Sequence, residues 1–168
     1  MSESVDGAVI GIVGDPPAAV RSAVDAAGAE RVTGTAEAVL AADPDRLVAV
    51  GPESLPALVT EGVPDSPVLP IDAGPGTPSV SIDAADTGIA SFLAGEFGTL
   101  DTPVFDVAVD GERRTRAIAD VMLVTAEPAR ISEYTVRSGA ETVADFRADG
   151  VVAATPLGSH GYARRVEG

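Results

Sequence analysis

Along the first hundred residues the apolar positions switch between a period of two and a period of about 3.6. Residues 7–13 form a short β-branched run that ends in Gly14-Asp15-Pro16, and residues 18–27 then carry apolar side chains at helical spacing up to Gly28. The pattern predicts a strand, a tight turn with Asp15 as N-cap and Pro16 near the first helical position, and a helix closed by Gly28. Further helices are predicted over residues 35–42 and 53–60, and further strands over residues 46–50 and 68–71. Strands that alternate with helices over short connections imply a parallel sheet with right-handed crossovers. This part of the chain therefore reads as a small doubly wound α/β unit.

Residues 83–97 predict one more helix, apolar at Ile89, Phe92, Leu93 and Phe97. Beyond it the texture changes. Residues 104–109, 116–124, 131–137, 141–147 and 151–155 are strand-like, with turn residues between them that include Asp110-Gly111 and Ser138-Gly139. The expectation is an α/β domain over residues 1–98 and a β-rich, incomplete domain over residues 99–168.

Charge narrows the choice of partners. The chain carries 26 acidic side chains against 11 basic ones, net −15, and all 11 are arginine. No basic patch is available to displace counterions from a nucleic-acid backbone, so that class is excluded. The acid is spread through apolar-rich segments and does not form a tail, which points to a folded protein that repels itself until salt screens it, as in a halophile. With no cysteine there are no disulfides, thiolate metal sites or cysteine nucleophiles. No apolar run approaches the roughly 18 residues of a membrane span, and no positive charge precedes the first apolar stretch. The expected location is the cytoplasm.

Chemistry concentrates near the end of the chain. Asp149-Gly150, the strand-like run 151–154 and Thr155-Pro156-Leu157-Gly158-Ser159-His160-Gly161-Tyr162 deliver a strand into a sharp turn. Small residues there let a ligand approach the backbone, and the hydroxyls of Thr155, Ser159 and Tyr162 offer donors and acceptors. Composition alone favours an ordinary loop holding two turn glycines. His160, the single histidine, has no partner ligands and makes no metal site.

This stretch resembles the DG, apolar strand, TP-x-GS-x-x-Y signature of the NAD kinase family, with Asp149, Gly150, Thr155, Pro156, Gly158, Ser159 and Tyr162 matching without a gap. Upstream, Ser132-Glu133 stands where the family has an Asn-Glu pair that contacts the dinucleotide, so Glu133 matches and Ser132 does not. Read without the family, Glu133 is a solvated carboxylate at a strand edge. The family's Gly-Gly-Asp-Gly-Thr loop, which holds the ATP phosphates and supplies a catalytic aspartate, corresponds to Gly51-Pro52-Glu53-Ser54-Leu55. Only Gly51 is kept and Glu53 stands for the aspartate; Pro52 lacks an N–H and Ser54 adds a side chain. The same residues also make a competent helix start. Asp72 and Gly74 resemble the family's Asn-x-Gly loop.

The resemblance implies a flavodoxin-like α/β half, a β-rich second half and a nucleotide site in the cleft between them. It implies NAD and ATP as substrates, Mg²⁺ as an assisting ion, and transfer of the ATP γ-phosphoryl group to the 2′-hydroxyl of NAD. Glu53 is then the candidate base. Gly51, Asp72, Gly74, Glu133, Asp149, Thr155, Gly158, Ser159 and Tyr162 are the candidate nucleotide contacts. Because the losses fall on the phosphate-donor side, a non-catalytic NAD(H)-binding paralogue and a structural subunit stand beside the kinase reading. In the family further strands follow this tyrosine, so the expectation is a shortened or fragmentary chain that forms a homo-oligomer.

Overall fold

The computed structural model describes residues 7–127 and 130–158. Four parallel strands, β1 (Val9–Val13), β2 (Glu30–Gly34), β3 (Arg46–Val50) and β4 (Val68–Ile71), form one sheet in the order β2-β1-β3-β4. Helices α1 (Ala18–Ala26), α2 (Ala36–Ala41) and α3 (Ser54–Glu61) connect them, and α4 (Ala85–Leu93) follows β4 after a short 3-10 turn. Period-two alternation distributes each strand's side chains to both faces. Ile10, Ile12, Val48 and Val50 pack with Val20, Val24, Ile89 and Phe92 under α1 and α4. Val13, Leu47 and Ala49 pack with Val39 and Leu58 under α2 and α3. Gly11 leaves the room on the second face that Val39, Leu47 and Pro44 occupy.

Three local readings are corrected. Strand β2 is absent from the predicted pattern because its sequence, Glu-Arg-Val-Thr-Gly, is a largely exposed edge that pairs only with β1 and turns a single apolar side chain, Val32, to the core. The N-cap of α1 is Pro17, not Asp15, and makes no side-chain cap bond. Helix α4 ends at Leu93, and Phe97 lies beyond it, folding back so that its ring sits 4.9 Å from that of Phe92. Arg46 stacks over both rings and donates to the carbonyls of Phe92 and Leu93, closing the helix end with a cation.

The rest of the chain is β-rich as predicted, but it forms three separate two-stranded ribbons. These pair β5 (Phe105–Val109) with β6 (Glu112–Ala117), β7 (Asp120–Val124) with β10 (Gly150–Ala154), and β8 (Ser132–Ser138) with β9 (Glu141–Ala148). Asp110-Gly111 makes the β5–β6 turn, both at positive φ (55° and 80°), as a tight hairpin requires. The predicted strand 116–124 is in fact broken at Ile118-Ala119, whose carbonyls turn aside to accept from Thr155. Among the described residues no helix is long and apolar enough to cross a membrane.

Candidate functional site

In an open parallel sheet the strand ends release their loops on one side, and ligands bind beyond the carboxyl ends of the strands. Here β3 runs into Gly51-Pro52-Glu53 and β4 into Asp72-Ala73-Gly74. Gly51 (φ 83°), Asp72 (φ 48°) and Gly74 (φ 88°) all adopt left-handed backbone, which turns both loops sharply. The two loops touch: a Cβ on Gly74 would lie 3.2 Å from Cβ of Pro52. Facing them are the Ile118-Ala119 break between β6 and β7 and the Leu157-Gly158 turn after β10. These four segments enclose a cavity of about 180 Å³. Leu55, Thr77, Ile118 and Leu157 also line a larger apolar cavity of about 580 Å³ beside α3 and β4. Among the described residues neither cavity has an arginine in its wall.

Thr155 braces the far wall from behind and lines neither cavity. Its side chain is buried, its hydroxyl donates to the carbonyl of Ile118, and its N–H donates to that of Ala119 at 2.8 Å. The hydroxyl also accepts from the N–H of Gly158. Gly158 presses on the Ala119 carbonyl so closely that a Cβ would overlap it. Both residues therefore hold the loop against the β6–β7 break, and the Thr155 hydroxyl faces that backbone.

On the near wall the Gly51–Ser54 turn has few amides to offer an anion. The N–H of Gly51 donates to Ile71 (2.9 Å), that of Ser54 to Gly51 (3.4 Å), and Pro52 and Pro56 have none. Glu53 is the exposed N-cap of α3 and makes no side-chain cap bond. Ser54 does not obstruct the loop as its sequence position suggests, because its buried hydroxyl turns inward and donates to the carbonyl of Val50. That inward turn also explains Gly14 (φ 102°), where a Cβ would overlap the Ser54 hydroxyl and the Val50 carbonyl. Sequence reading missed both the Gly14–Ser54 contact and the Ile118-Ala119 wall. The Gly14 turn after a strand was the one available signal for the first, and none pointed to the second.

Of the sequence-predicted residues, Gly74 and Gly158 line the small cavity, Gly51 and Glu53 adjoin its Pro52 wall, and Asp72 adjoins its Ala73 wall. Glu133 and Asp149 line neither cavity. Glu133 is exposed on β8, opposite Arg147 of β9. Asp149 is exposed, and its carbonyl accepts both the N–H (3.0 Å) and the hydroxyl (2.8 Å) of Thr125. Ser159 and Tyr162 lie outside the described residues. Among the described residues no group of three or more metal-ligating side chains occurs.

This is the fold of NAD and NADH kinases. The structure superposes with a TM-score of 0.77 on an NAD kinase from Archaeoglobus fulgidus in complex with ATP, at 18% identity, covering 95% of this chain and 66% of that one. It superposes with a TM-score of 0.69 on yeast NADH kinase complexed with NADH, at 15% identity, covering 97% of this chain and 62% of that one. In sequence it is 38% identical over 86 residues to the NAD kinase of Methanosarcina barkeri, 51% of this chain and 30% of that one. It is 33% identical over 89 residues to the enzyme of Gemmatimonas aurantiaca, 50% of this chain and 31% of that one. A NAD kinase of Geobacter sp. matches at 26% over 137 residues, 77% of this chain and 48% of that one. No family model matches. The chain is thus similar to NAD kinases in sequence and fold, with the sequence matches spanning between about a third and a half of these relatives' length.

Proposed function

We propose that this chain is a NAD kinase-like protein that binds NAD(H) in the cleft between its α/β half and its β-rich half, and that binding is better retained than phosphoryl transfer. The observation that carries this reading is the convergence of the Gly51–Glu53, Asp72–Gly74 and Leu157–Gly158 loops on one cavity at the carboxyl ends of β3 and β4. A dinucleotide needs shape and a few hydrogen-bonding groups, and small residues in all three loops leave its approach open. Transfer of a γ-phosphoryl group needs much more, because its catalysis is positioning and charge neutralisation. Here the donor-side turn has spent or lost most of its amides, and no cation lines the cavity among the described residues.

Where transfer occurs, Glu53 is the base that takes the proton from the 2′-hydroxyl of NAD, and ATP is the donor. Mg²⁺ draws most of its ligands from substrate phosphates and water, so the absence of a three-carboxylate cluster among the described residues is compatible with it. Glu53 and Asp72 are the carboxylates at the two strand ends. Asp149, Ser159 and Tyr162 enter this reading through the motif they share with the family, and Glu133 through its Asn-Glu position. We assign the protein to the cytoplasm of a halophile, acting as a homo-oligomer without nucleic-acid or membrane partners.

Calorimetric titration of NAD, NADH and ATP in concentrated KCl, beside a coupled assay for NADP, tests the proposal. Saturable NAD binding with slow or no NADP formation is the expected result. Absence of binding by every nucleotide would overturn it.

A further inference from the structure

The α/β half and the β-rich half meet across empty space. Leu55 and Leu58 of α3, with Pro52 and Gly74 of the strand-end loops, stand on one side, and Ile118, Leu157 and Gly158 stand on the other. Between them lie the cavities of about 580 Å³ and 180 Å³. A close-packed interior does not keep voids of that size between its walls. Pro156 aside, a single hydrogen bond among the described residues crosses from one half to the other, from the Thr60 hydroxyl to the Arg116 carbonyl. At 3.5 Å it is long for a bond of this kind. The covalent connection is residues 98–104, which form neither helix nor strand and make no hydrogen bond to another described residue. Leu100, in the middle of it, is 73% exposed. The start of this strap is fixed. Gly95 (φ 76°) reverses the chain after α4, Phe97 lies on Phe92, and Arg46 from the first position of β3 spans both rings at 5.6 Å from each centroid. The same guanidinium donates to the last two carbonyls of α4. Among the described residues it pairs with no carboxylate, so this clamp does not depend on an ion pair that concentrated salt would screen.

We propose that residues 98–104 are a hinge on which the β-rich half swings toward the α/β half when a nucleotide bridges the two, and that Arg46 is the positioning residue that fixes the hinge at its origin. The inference rests on the reading that the nucleotide binds between the halves. A ligand drives closure only as far as it binds the closed form better. A dinucleotide seated on the Pro52 and Gly74 side reaches Leu157 and Gly158 fully only when the halves approach, so its second set of contacts belongs to the closed form. Little opposes the motion, because it disturbs one long hydrogen bond and a strap that pairs with nothing. The cavities are the space into which the halves move. Without the Arg46 clamp the last fixed point would retreat from Phe97 to the end of α4, and the strap would lengthen to residues 94–104. A longer strap samples more orientations, which lowers the population of the closed form and weakens the apparent affinity by the same fraction.

The chain has no cysteine, so Glu37→Cys on α2 together with Arg113→Cys on β6, both exposed, places one spin label on each half and none elsewhere. Pulsed dipolar spectroscopy in concentrated KCl, with the labelled protein diluted into unlabelled protein to remove distances between copies, reads the separation of the halves. Calorimetry on the same protein reads NAD binding. The distance distribution is expected to be broad without nucleotide and to become shorter and narrower at saturating NAD. In the same background Arg46→Met should stay broad with NAD bound and should weaken NAD binding about three- to tenfold at temperatures well below its melt. If Arg46→Met does not fold, Phe97→Ala, which removes the other side of the clamp at a 38% exposed position, is read in its place. A narrow distribution without nucleotide overturns the hinge, as does one that saturating NAD leaves unchanged. A clamp variant that narrows with NAD as its parent does overturns the role of Arg46. A broad distribution in a protein that calorimetry shows not to bind NAD would uphold the hinge and overturn the nucleotide reading instead.

Discussion

Ser54 turns its hydroxyl back on the carbonyl of Val50, four residues earlier, and so joins the end of β3 to the start of α3 inside the protein. The bond satisfies a strand-end carbonyl that the sheet leaves free, and it fixes the turn that carries Glu53. Gly14, at the end of the neighbouring strand, packs against this pair with no space for a side chain. Ser54→Ala is expected to destabilise the fold by about 1–3 kcal/mol, the cost of leaving a buried acceptor unsatisfied. Gly14→Ala should cost more, because it combines overlap with positive φ. Thermal melts of the two variants check this; a Gly14→Ala protein as stable as wild type would refute the contact.

Thr155 gives a second stability prediction where the family motif alone suggests a ligand contact. Thr155→Val keeps the shape but removes the donor to Ile118 and the acceptor for Gly158, and should cost about 1–3 kcal/mol. Thr155→Ser should retain most of the stability. Nucleotide affinity should follow the order of the melts, Ser above Val. A Thr155→Val variant that melts like wild type yet loses NAD binding would show that the hydroxyl serves the ligand instead.

Salt should stabilise this protein. At net −15 the folded chain repels itself at low ionic strength, and screening shortens the range of that repulsion to about 10 Å at 0.1 M and about 3 Å at 1 M. The melting midpoint is expected to rise between dilute and molar KCl. Equal or falling midpoints would remove the halophile assignment.

Glu53 separates binder from enzyme. Glu53 is exposed and makes no cap bond, so Glu53→Gln should leave the melt unchanged. If the wild type makes NADP, the substitution should abolish turnover with little change in NAD affinity, as expected of a group that acts in the transition state. If the wild type makes none, the substitution should be silent in both assays. Turnover that persists undiminished in Glu53→Gln would take the base assignment away from this residue.

Period and punctuation in the chain were enough to foresee β1, β3, β4 and the helices between them, because the core strands Val9–Val13 and Arg46–Val50 bury nearly every side chain and leave no other use for their apolar runs. The Asp110-Gly111 hairpin was equally legible, since few dipeptides tolerate two successive positive φ angles. The motif Thr155-Pro156-Leu157-Gly158 pointed to a loop whose Leu157 and Gly158 lie against the loops that follow β3 and β4. What each of its residues does there was decided by tertiary structure. Thr155 is spent on the Ile118 and Ala119 backbone, a contact across more than 30 residues that no local pattern encodes. Edge strand β2 and the polar ribbon strand β6 escaped notice because exposed strands are held by pairing and carry too few buried side chains to impose a period. Ser54 reads in sequence as an obstruction and folds as an internal brace, because the direction of a short hydroxyl is set by the nearest unsatisfied carbonyl, and only the packed chain brings Gly14 close enough to require it.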